Sequence, residues 1–424
     1  MSGRGDAAVT TPLVLRGESA VHGGAVIAHE GGRPVLVYYA MPGEVVEAEP
    51  AGRRGGVALA RTARVLEPSP DRVQAPCPHF GACGGCVWQH ARYERQLEFK
   101  RQAVEEAWRG AGLRLPPDTP VLGMEDPWRY RIRGEFEAAH GQDGTIRLGF
   151  HAMRRHSVLP VSRCPIHDER IERAMLAFGR AATDLGLRGL QSLLLTVEPT
   201  GPGLLWQPRL RGGQPREVRQ QLGGRAAELM PDLVLLDDSM ELAFWGLSFR
   251  VRSDTFVQTN YRQMLVLYRA VLDMLAPTAG DAVLDLYSGI GAIGLAIARE
   301  AGSVTGVEEN PAALRLAGVN ARINGIANFR TLPGRVEEAL RGVRLGGHSA
   351  TVLDPPRAGC EPAAIAELLR LGTERLVYVS CEPSTHARDL VALVRGGYRV
   401  KRAAIVDMFP QTYHIESVAL LERS

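Results

Sequence analysis

The stretch DAVLDLYSGIGAIGLAIARE, residues 281–300, decides the fold. Its opening, AVLDLYS, is an apolar run broken by a single acid, the pattern of a strand buried on both faces. Gly289-x-Gly291-x-x-Gly294 follows, and an alanine- and isoleucine-rich segment then starts a helix. The glycines let the backbone approach a ligand, and the helix N-terminus offers N–H donors without an intrahelical partner. Glu308 closes the next apolar run, SVTGVEE, nineteen positions beyond Gly289, where an acid is placed to grip ribose hydroxyls. Two more strand-like runs, ATVLDPP and RLVYVSC, alternate with helical or mixed segments. This pattern predicts a doubly wound α/β domain over residues 256–424 with a largely parallel sheet. VKRAAIVDMF and HIESVALLE read as its last two strands.

NAD and S-adenosylmethionine both fit such a loop. Asp285, one turn before the glycines, favours the second, because its carboxylate suits the cationic methionine end. Asp354-Pro355-Pro356 ends a later strand, where many class I methyltransferases keep (Asp/Asn)-Pro-Pro. In open sheets ligands bind outside the carboxyl ends of the strands, so positions 285, 308, 354 and 381 are expected at one crevice. Taken singly, Asp354 is as well explained as a turn acid, Cys381 as a small core hydrophobe and Glu416 as a strand-edge charge.

Upstream, residues 1–11 read as a flexible tail. Residues 12–67 hold short β-like runs broken by Gly-Gly and Pro-Gly, the length of a small OB-type barrel. Residues 68–255 read as a mixed α+β domain. It begins with CPHFGACGGC, in which Cys77, Cys83 and Cys86 crowd into ten residues, and a strong helix ending at Gly110 follows. With the distant Cys164 these make four thiols, a set that serves either structural zinc or an iron–sulfur centre. Between Trp128 and Arg163 seven arginines (129, 131, 133, 147, 154, 155 and 163) interleave with Trp128, Tyr130, Phe136 and Phe150. Phosphate contact plus base stacking would use that pattern, but a solvated sheet face explains this segment slightly better by itself.

The 424 residues carry 50 Lys and Arg against 47 Asp and Glu, a net charge of only +3, so charge alone does not argue for nucleic acid. The chain has no apolar stretch of membrane-spanning length and no secretory core at its start. A cytoplasmic protein is expected, without membrane or protein partners and monomeric.

Seven motifs in order, CPHFGACGGC, FVQTN, DLYSGIGAIGL, GVEENP, LDPPRAG, YVSCEPSTHARDL and DMFPQTYHIES, resemble the RNA uracil-5-methyltransferases that carry an N-terminal TRAM domain and an iron–sulfur cluster. The resemblance spans about residues 12 to 421. It implies a Rossmann-like class I methyltransferase domain behind a TRAM barrel that binds RNA, with S-adenosyl-L-methionine as methyl donor. By the same resemblance Cys381 is the nucleophile and Glu416 the general base. Gln258, Tyr287, Gly289, Gly291, Glu308 and Asp354 contact the cofactor or the uracil, and Cys77, Cys83, Cys86 and Cys164 hold a [4Fe–4S] cluster. Ribosomal RNA of the large subunit is the favoured substrate and the T-loop of tRNA the alternative. Two other functions stay open: a base N-methyltransferase built on Asp354-Pro355-Pro356, and a non-catalytic RNA-binding iron–sulfur protein. Four features depart from the family: Glu382 stands where Asn is usual, Ser288 where Cys is common, Arg335 where an acid or amide meets the adenine, and FVQTN where a run with two aromatics is more usual. A carboxylate at 382 raises the pKa of Cys381 unless it points away.

Overall fold

The computed structural model describes residues 12–153, 157–213, 215–344 and 347–424. The tail over 1–11 and two of the seven arginines, Arg154 and Arg155, lie outside the described residues. The chain divides into two compact units: one runs to Ala103 and includes Pro410–Tyr413, the other is Val104–Phe409 with His414–Ser424.

The first unit is built on a six-stranded sheet in which Leu13–Arg16, Val45–Arg54, Val57–Glu67, Arg33–Tyr38, Ala25–Glu30 and Ser19–Ala20 neighbour one another in that order. Alternation drives it: Val35, Val37, Val46, Ala48 and Ala60 point inward and are buried, while the residues between them face out. Glu44 is fully buried and would be costly unpaired, but Arg72 reaches it from the loop that follows. Segment 410–413 is tied in by Gln411, whose backbone carbonyl accepts from Val87 and Trp88 and whose side chain meets Gln96.

In the second unit, a six-stranded mixed sheet runs Val158–Pro160, Ile146–His151, Arg133–His140, Leu190–Val197, Gly203–Leu210, Val234–Leu236. Helix Glu169–Asp184, capped by Asp168, covers it with Ile171, Met175 and Phe178. The arginine-and-aromatic segment is largely absorbed into this architecture. Tyr130 and Phe136 are buried, so neither offers a stacking face. Arg129 pairs with Glu172, and Arg133 donates to the carbonyls of Ser253 and Thr255. The solvated-face explanation therefore also needs amending, since these guanidiniums brace loops.

The C-terminal part of the same unit forms the predicted α/β layer. Its strands are β1 (Ala282–Leu286), β2 (Ser303–Glu308), β3 (Phe329–Pro333), β4 (Ala350–Leu353), β5 (Arg375–Ser380), β6 (Tyr398–Val406) and β7 (Glu416–Arg423). They lie in the order β3-β2-β1-β4-β5-β7-β6, with the two-residue strand Val121–Leu122 added beside β6. The first five are parallel; β7 inserts antiparallel between β5 and β6. Helices α1 (Tyr261–Leu275), α2 (Ala292–Ala298), α3 (Pro311–Ile323), α4 (Pro362–Leu371) and α5 (Pro383–Arg395) cover the faces. Proline at the first position starts α3, α4 and α5, where its missing N–H is no loss. Val283, Leu284 and Leu286 of β1 have no exposed surface, each contributing about 1.5–3 kcal/mol of burial. The chain reverses direction across the sheet between β1 and β4, which opens a crevice at their carboxyl ends.

Candidate active site

β1 delivers Asp285 and then turns sharply. Tyr287 adopts φ 62°, a left-handed conformation that costs a bulky residue energy, and Gly289 and Gly291 follow at φ 55° and 83°. A side chain at Gly294 would come within 2.4 Å of the Asp285 carboxylate and 2.7 Å of the Phe329 ring, so helix and strand approach as only glycine allows. A side chain at Gly289 would meet nothing within 4 Å, and that backbone faces open space. Glu308, at the end of β2, accepts the Gly289 N–H at 2.9 Å and the Asn310 N–H at 2.7 Å. Each of its oxygens retains a lone pair for a further donor. Asn320 of α3 donates to the Ile290 carbonyl and fixes the loop from behind.

Asp285 is 2% exposed, and its Oδ2 has no hydrogen-bond partner. Burial first, and then the neighbouring Asp354 carboxylate, push its pKa up to about 8. Gly294 N–H donation opposes the shift. Asp354, at the end of β4, is pushed up to about 7 by desolvation. Glu416 opens β7 at 5% exposure, and burial followed by the charge of Asp354 lifts its carboxyl well above the ordinary range. Burial first, and then the charges of Asp354, Asp285 and Glu416, push the Tyr268 phenol of α1 up, and Tyr268, Asp285 and Asp354 line one hollow. A buried orphan carboxylate oxygen and a nest of acids that cannot all ionise make a receptor for a cation.

Cys381 follows the last residue of β5 and keeps part of its surface exposed. Burial pushes its thiol up to about 12, Glu416 and Asp354 add to the shift, and Arg357 opposes it. The departure at 382 is resolved by geometry: Glu382 accepts from Arg357 at 3.1 Å and from the Ser384 hydroxyl at 3.0 Å. Ser380 and Ser417 are the last paired residues of β5 and β7; Cys381 follows Ser380 and Glu416 precedes Ser417, so both lie at the same end of that ladder.

A small hollow of about 60 Å³ lies at the glycine loop, lined by Gln258, Asp285, Tyr287, Gly289 and Asp354 among others. It is a fraction of the 300 Å³ or more that ligand sites usually enclose, and marks only the innermost part of the crevice. A larger cleft of about 610 Å³ lies between α1 and β6, beside Trp245 and Arg402, and holds none of the expected site residues. Gln258, Tyr287, Gly289, Gly291, Glu308, Asp354, Cys381 and Glu416 thus come from the carboxyl edge of the sheet or the loop before α1. Arg335 is drawn to Glu337 at the start of a short helix. Arg357 lies within the LDPPRAG motif but the sequence assigns it no role, and Tyr268 lies in no motif.

The cysteines expected to hold a cluster are split: Cys77, Cys83 and Cys86 belong to the first unit and Cys164 to the second. The Tyr39 phenol is raised first by burial, against Arg61, and then by the charges of Cys83 and Cys86. Cys164 Sγ lies 3.1 Å from His167 Nδ1. Among the described residues no group of three or more His, Cys, Asp or Glu gathers as a metal site.

The fold is that of a methyltransferase. A structure of Pyrococcus abyssi tRNA (uracil-54, C5)-methyltransferase in complex with S-adenosyl-L-homocysteine superposes with a TM-score of 0.74 at 22% identity, over 97% of this chain and all of that one. The family described as tRNA (Uracil-5-)-methyltransferase matches residues 219–424. A 23S rRNA (uracil(1939)-C(5))-methyltransferase RlmD of Pseudomonas aeruginosa is 36% identical over 96% of this chain and 93% of its own. The protein of that name from Alkalilimnicola ehrlichii is 34% identical over 95% and 94%, and a protein named as an RNA methyltransferase from Halalkalibacterium halodurans 34% over 96% and 95%. This chain belongs to the RNA uracil-5-methyltransferase family.

No helix among the described residues is long and apolar enough to cross a membrane.

Proposed function

We propose that this chain methylates carbon 5 of a uridine in 23S rRNA, through a covalent adduct between Cys381 and carbon 6 of the base. The meeting of Cys381 and Glu416 at one end of the β5–β7 ladder, where the Glu416 charge acts on the thiol, carries this reading. Relatives at 34–36% identity over nearly the whole chain favour 23S rRNA over tRNA. The Pyrococcus tRNA enzyme shares the fold at 22% identity, which leaves its substrate no bearing on this chain.

Carbon 5 of uracil is too electron-poor to take a methyl group directly. The Cys381 thiolate adds to carbon 6, and the electron pair moves through the ring to carbon 5 and the carbonyl oxygen. S-adenosylmethionine supplies the electrophilic methyl. The Glu416 carboxylate then removes the proton from carbon 5, and the thiolate leaves as the double bond re-forms. The glycine loop, Glu308, Asp285 and Tyr287 hold the cofactor, and Gln258 and Asp354 line the same hollow against base or cofactor. The orphan Asp285 oxygen and the acid nest fit a positively charged ligand.

Residues 12–67 are proposed as the RNA-binding TRAM barrel, 68–255 as the central domain and 256–424 as a Rossmann-like class I methyltransferase domain. Cys77, Cys83 and Cys86 are proposed as thiolate ligands of a [4Fe–4S] cluster; the resemblance alone speaks for Cys164 as the fourth. No step of the reaction passes through that cluster.

Nucleoside analysis of 23S rRNA methylated in vitro tests the whole reading. We expect 5-methyluridine, dependent on Cys381. N-methyladenine as the product would instead make the enzyme a base N-methyltransferase.

A further inference from the structure

The crevice holds many more acids than cations. Asp285, Asp354 and Glu416 are carboxyls drawn from three strands, and Cys381 must itself become an anion to attack. Arg357, on the loop after β4, is held against Glu382, the residue that directly follows Cys381; its charge favours a thiolate there, whereas Glu416 of β7 and Asp354 after β4 oppose one. The position of Arg357 is built. Its Nε donates to Glu382 Oε2 at 3.1 Å, and its backbone carbonyl accepts from the Thr385 hydroxyl at 3.1 Å. Glu382 stands at the N-cap of α5 directly after Cys381, and Thr385 lies in the first turn of that helix. The Glu382 carboxylate is itself fixed from the other side by Ser384. Its side chain is only 12% exposed, whereas that of Arg357 is 52% exposed.

We propose that Arg357 favours the Cys381 thiolate and that Glu382 is the residue that holds Arg357 in place for that task. The inference rests on the reading of Cys381 as the nucleophile. In the thiol form the sulfur keeps its proton; on ionisation the proton passes to solvent through the partly exposed end of β5, and the negative charge stays on sulfur, next along the chain from the carboxylate that holds the guanidinium. Arg357 acts through Cys381 and needs no contact with the uracil. The unusual Glu382 is thereby explained as the anchor of a cation. By its charge alone it would merely suppress the nucleophile.

The test is alkylation of Cys381 by iodoacetamide in the full-length chain, followed at the Cys381 peptide by mass spectrometry between pH 7 and 10. Only the thiolate reacts, so below its pKa the rate follows the thiolate fraction, tenfold for each pKa unit. The Arg357 side chain is half exposed and its charge is screened by water, so Arg357→Ala should slow alkylation at pH 8 by about two- to tenfold. Arg357→Lys, which keeps the charge, should recover most of that loss. Glu382→Ala separates anchoring from simple charge: loss of a carboxylate alone would speed alkylation, whereas release of Arg357 slows it. We expect slowing, and Glu382→Gln, whose amide oxygen still accepts from Nε, should be faster than Glu382→Ala. An unchanged rate in Arg357→Ala, or equal slowing in the Lys and Ala variants, overturns the role of Arg357. Faster alkylation in Glu382→Ala overturns that of Glu382. Methylation by Cys381→Ala, assayed separately, bears on the nucleophile reading alone.

Discussion

Ser380 and Ser417 face each other as the last pair of β5 and β7, so Cys381 and Glu416, the residues that flank this pair, lie at the same end of the ladder. Thirty-five residues of chain separate the thiol from the carboxyl, and one inserted strand removes that distance. The Ser417 hydroxyl shares a 2.8 Å hydrogen bond with His386 of α5, which braces the pair from the helix side.

If that juxtaposition serves thiol addition followed by proton removal, the two residues fail differently when changed. Cys381→Ala should abolish methylation. Glu416→Gln should slow turnover about 10²–10⁴-fold, the usual contribution of a general base, and leave the adduct intact. Denaturing gels with labelled RNA would then show a protein–RNA band in Glu416→Gln and none in Cys381→Ala. A Glu416→Gln enzyme that turns over at the normal rate would remove the base from the mechanism.

The glycine loop makes a packing prediction. At Gly294 an added methyl would sit 2.4 Å from Asp285 Oδ2 and 2.7 Å from Phe329. Neither is a loose surface group, so Gly294→Ala should cost about 1–3 kcal/mol in a urea titration, as overpacking does. Gly289→Ala meets no atom and should cost less there, its penalty coming from φ 55° alone. Equal costs at both positions would contradict the close helix–strand approach.

Much of this was legible in advance, and the parts that were not share a cause. β1, β2, β4 and β5 announce themselves because strands buried on both faces need unbroken apolar runs. β3, with the sequence FRTLP, lies at the sheet edge with most of its residues exposed and carries no such signal. The hairpin of Ser239–Phe244 and Leu247–Arg252 was also invisible. Its turn places Trp245 and Gly246 at φ 52° and 73°, where Asn-Gly would be the expected pair. Motif residues on strand ends were readable because the crevice rule fixes where strand ends point. Arg357 and Tyr268 act through neighbours in space, and one sequence does not order those. The aromatic stripe near Trp128 misled because alternation alone cannot say which face is buried.

The cluster assignment rests on chemistry that purification can examine. Anaerobically prepared protein should contain iron and acid-labile sulfide in equal amounts and absorb broadly in the visible. Cys86→Ser should lose both. Zinc in place of iron would keep the thiolates and replace the cluster.

Stability should also depend on pH in a direction set by the acids. Asp285 and Asp354 have folded-state pKa values raised to about 8 and about 7 from ordinary values near 4. Between pH 4 and pH 8 the folded chain therefore holds protons that the unfolded chain has released. The slope of unfolding free energy with pH follows protons bound unfolded minus folded, which is negative here, so ligand-free protein loses stability as pH rises through this window. The contribution is complete below pH 4 and gone above about pH 8. Asp285→Asn, neutral at every pH, should melt higher than the parent at pH 8, and the difference should vanish toward pH 4, where Asp285 is protonated. S-adenosylmethionine brings a sulfonium to the same acids and should recover stability in the parent more at pH 8 than at pH 5. A parent protein whose melting temperature climbs steadily from pH 4 to pH 8 would mean that these carboxyls ionise freely and that the nest is open to water.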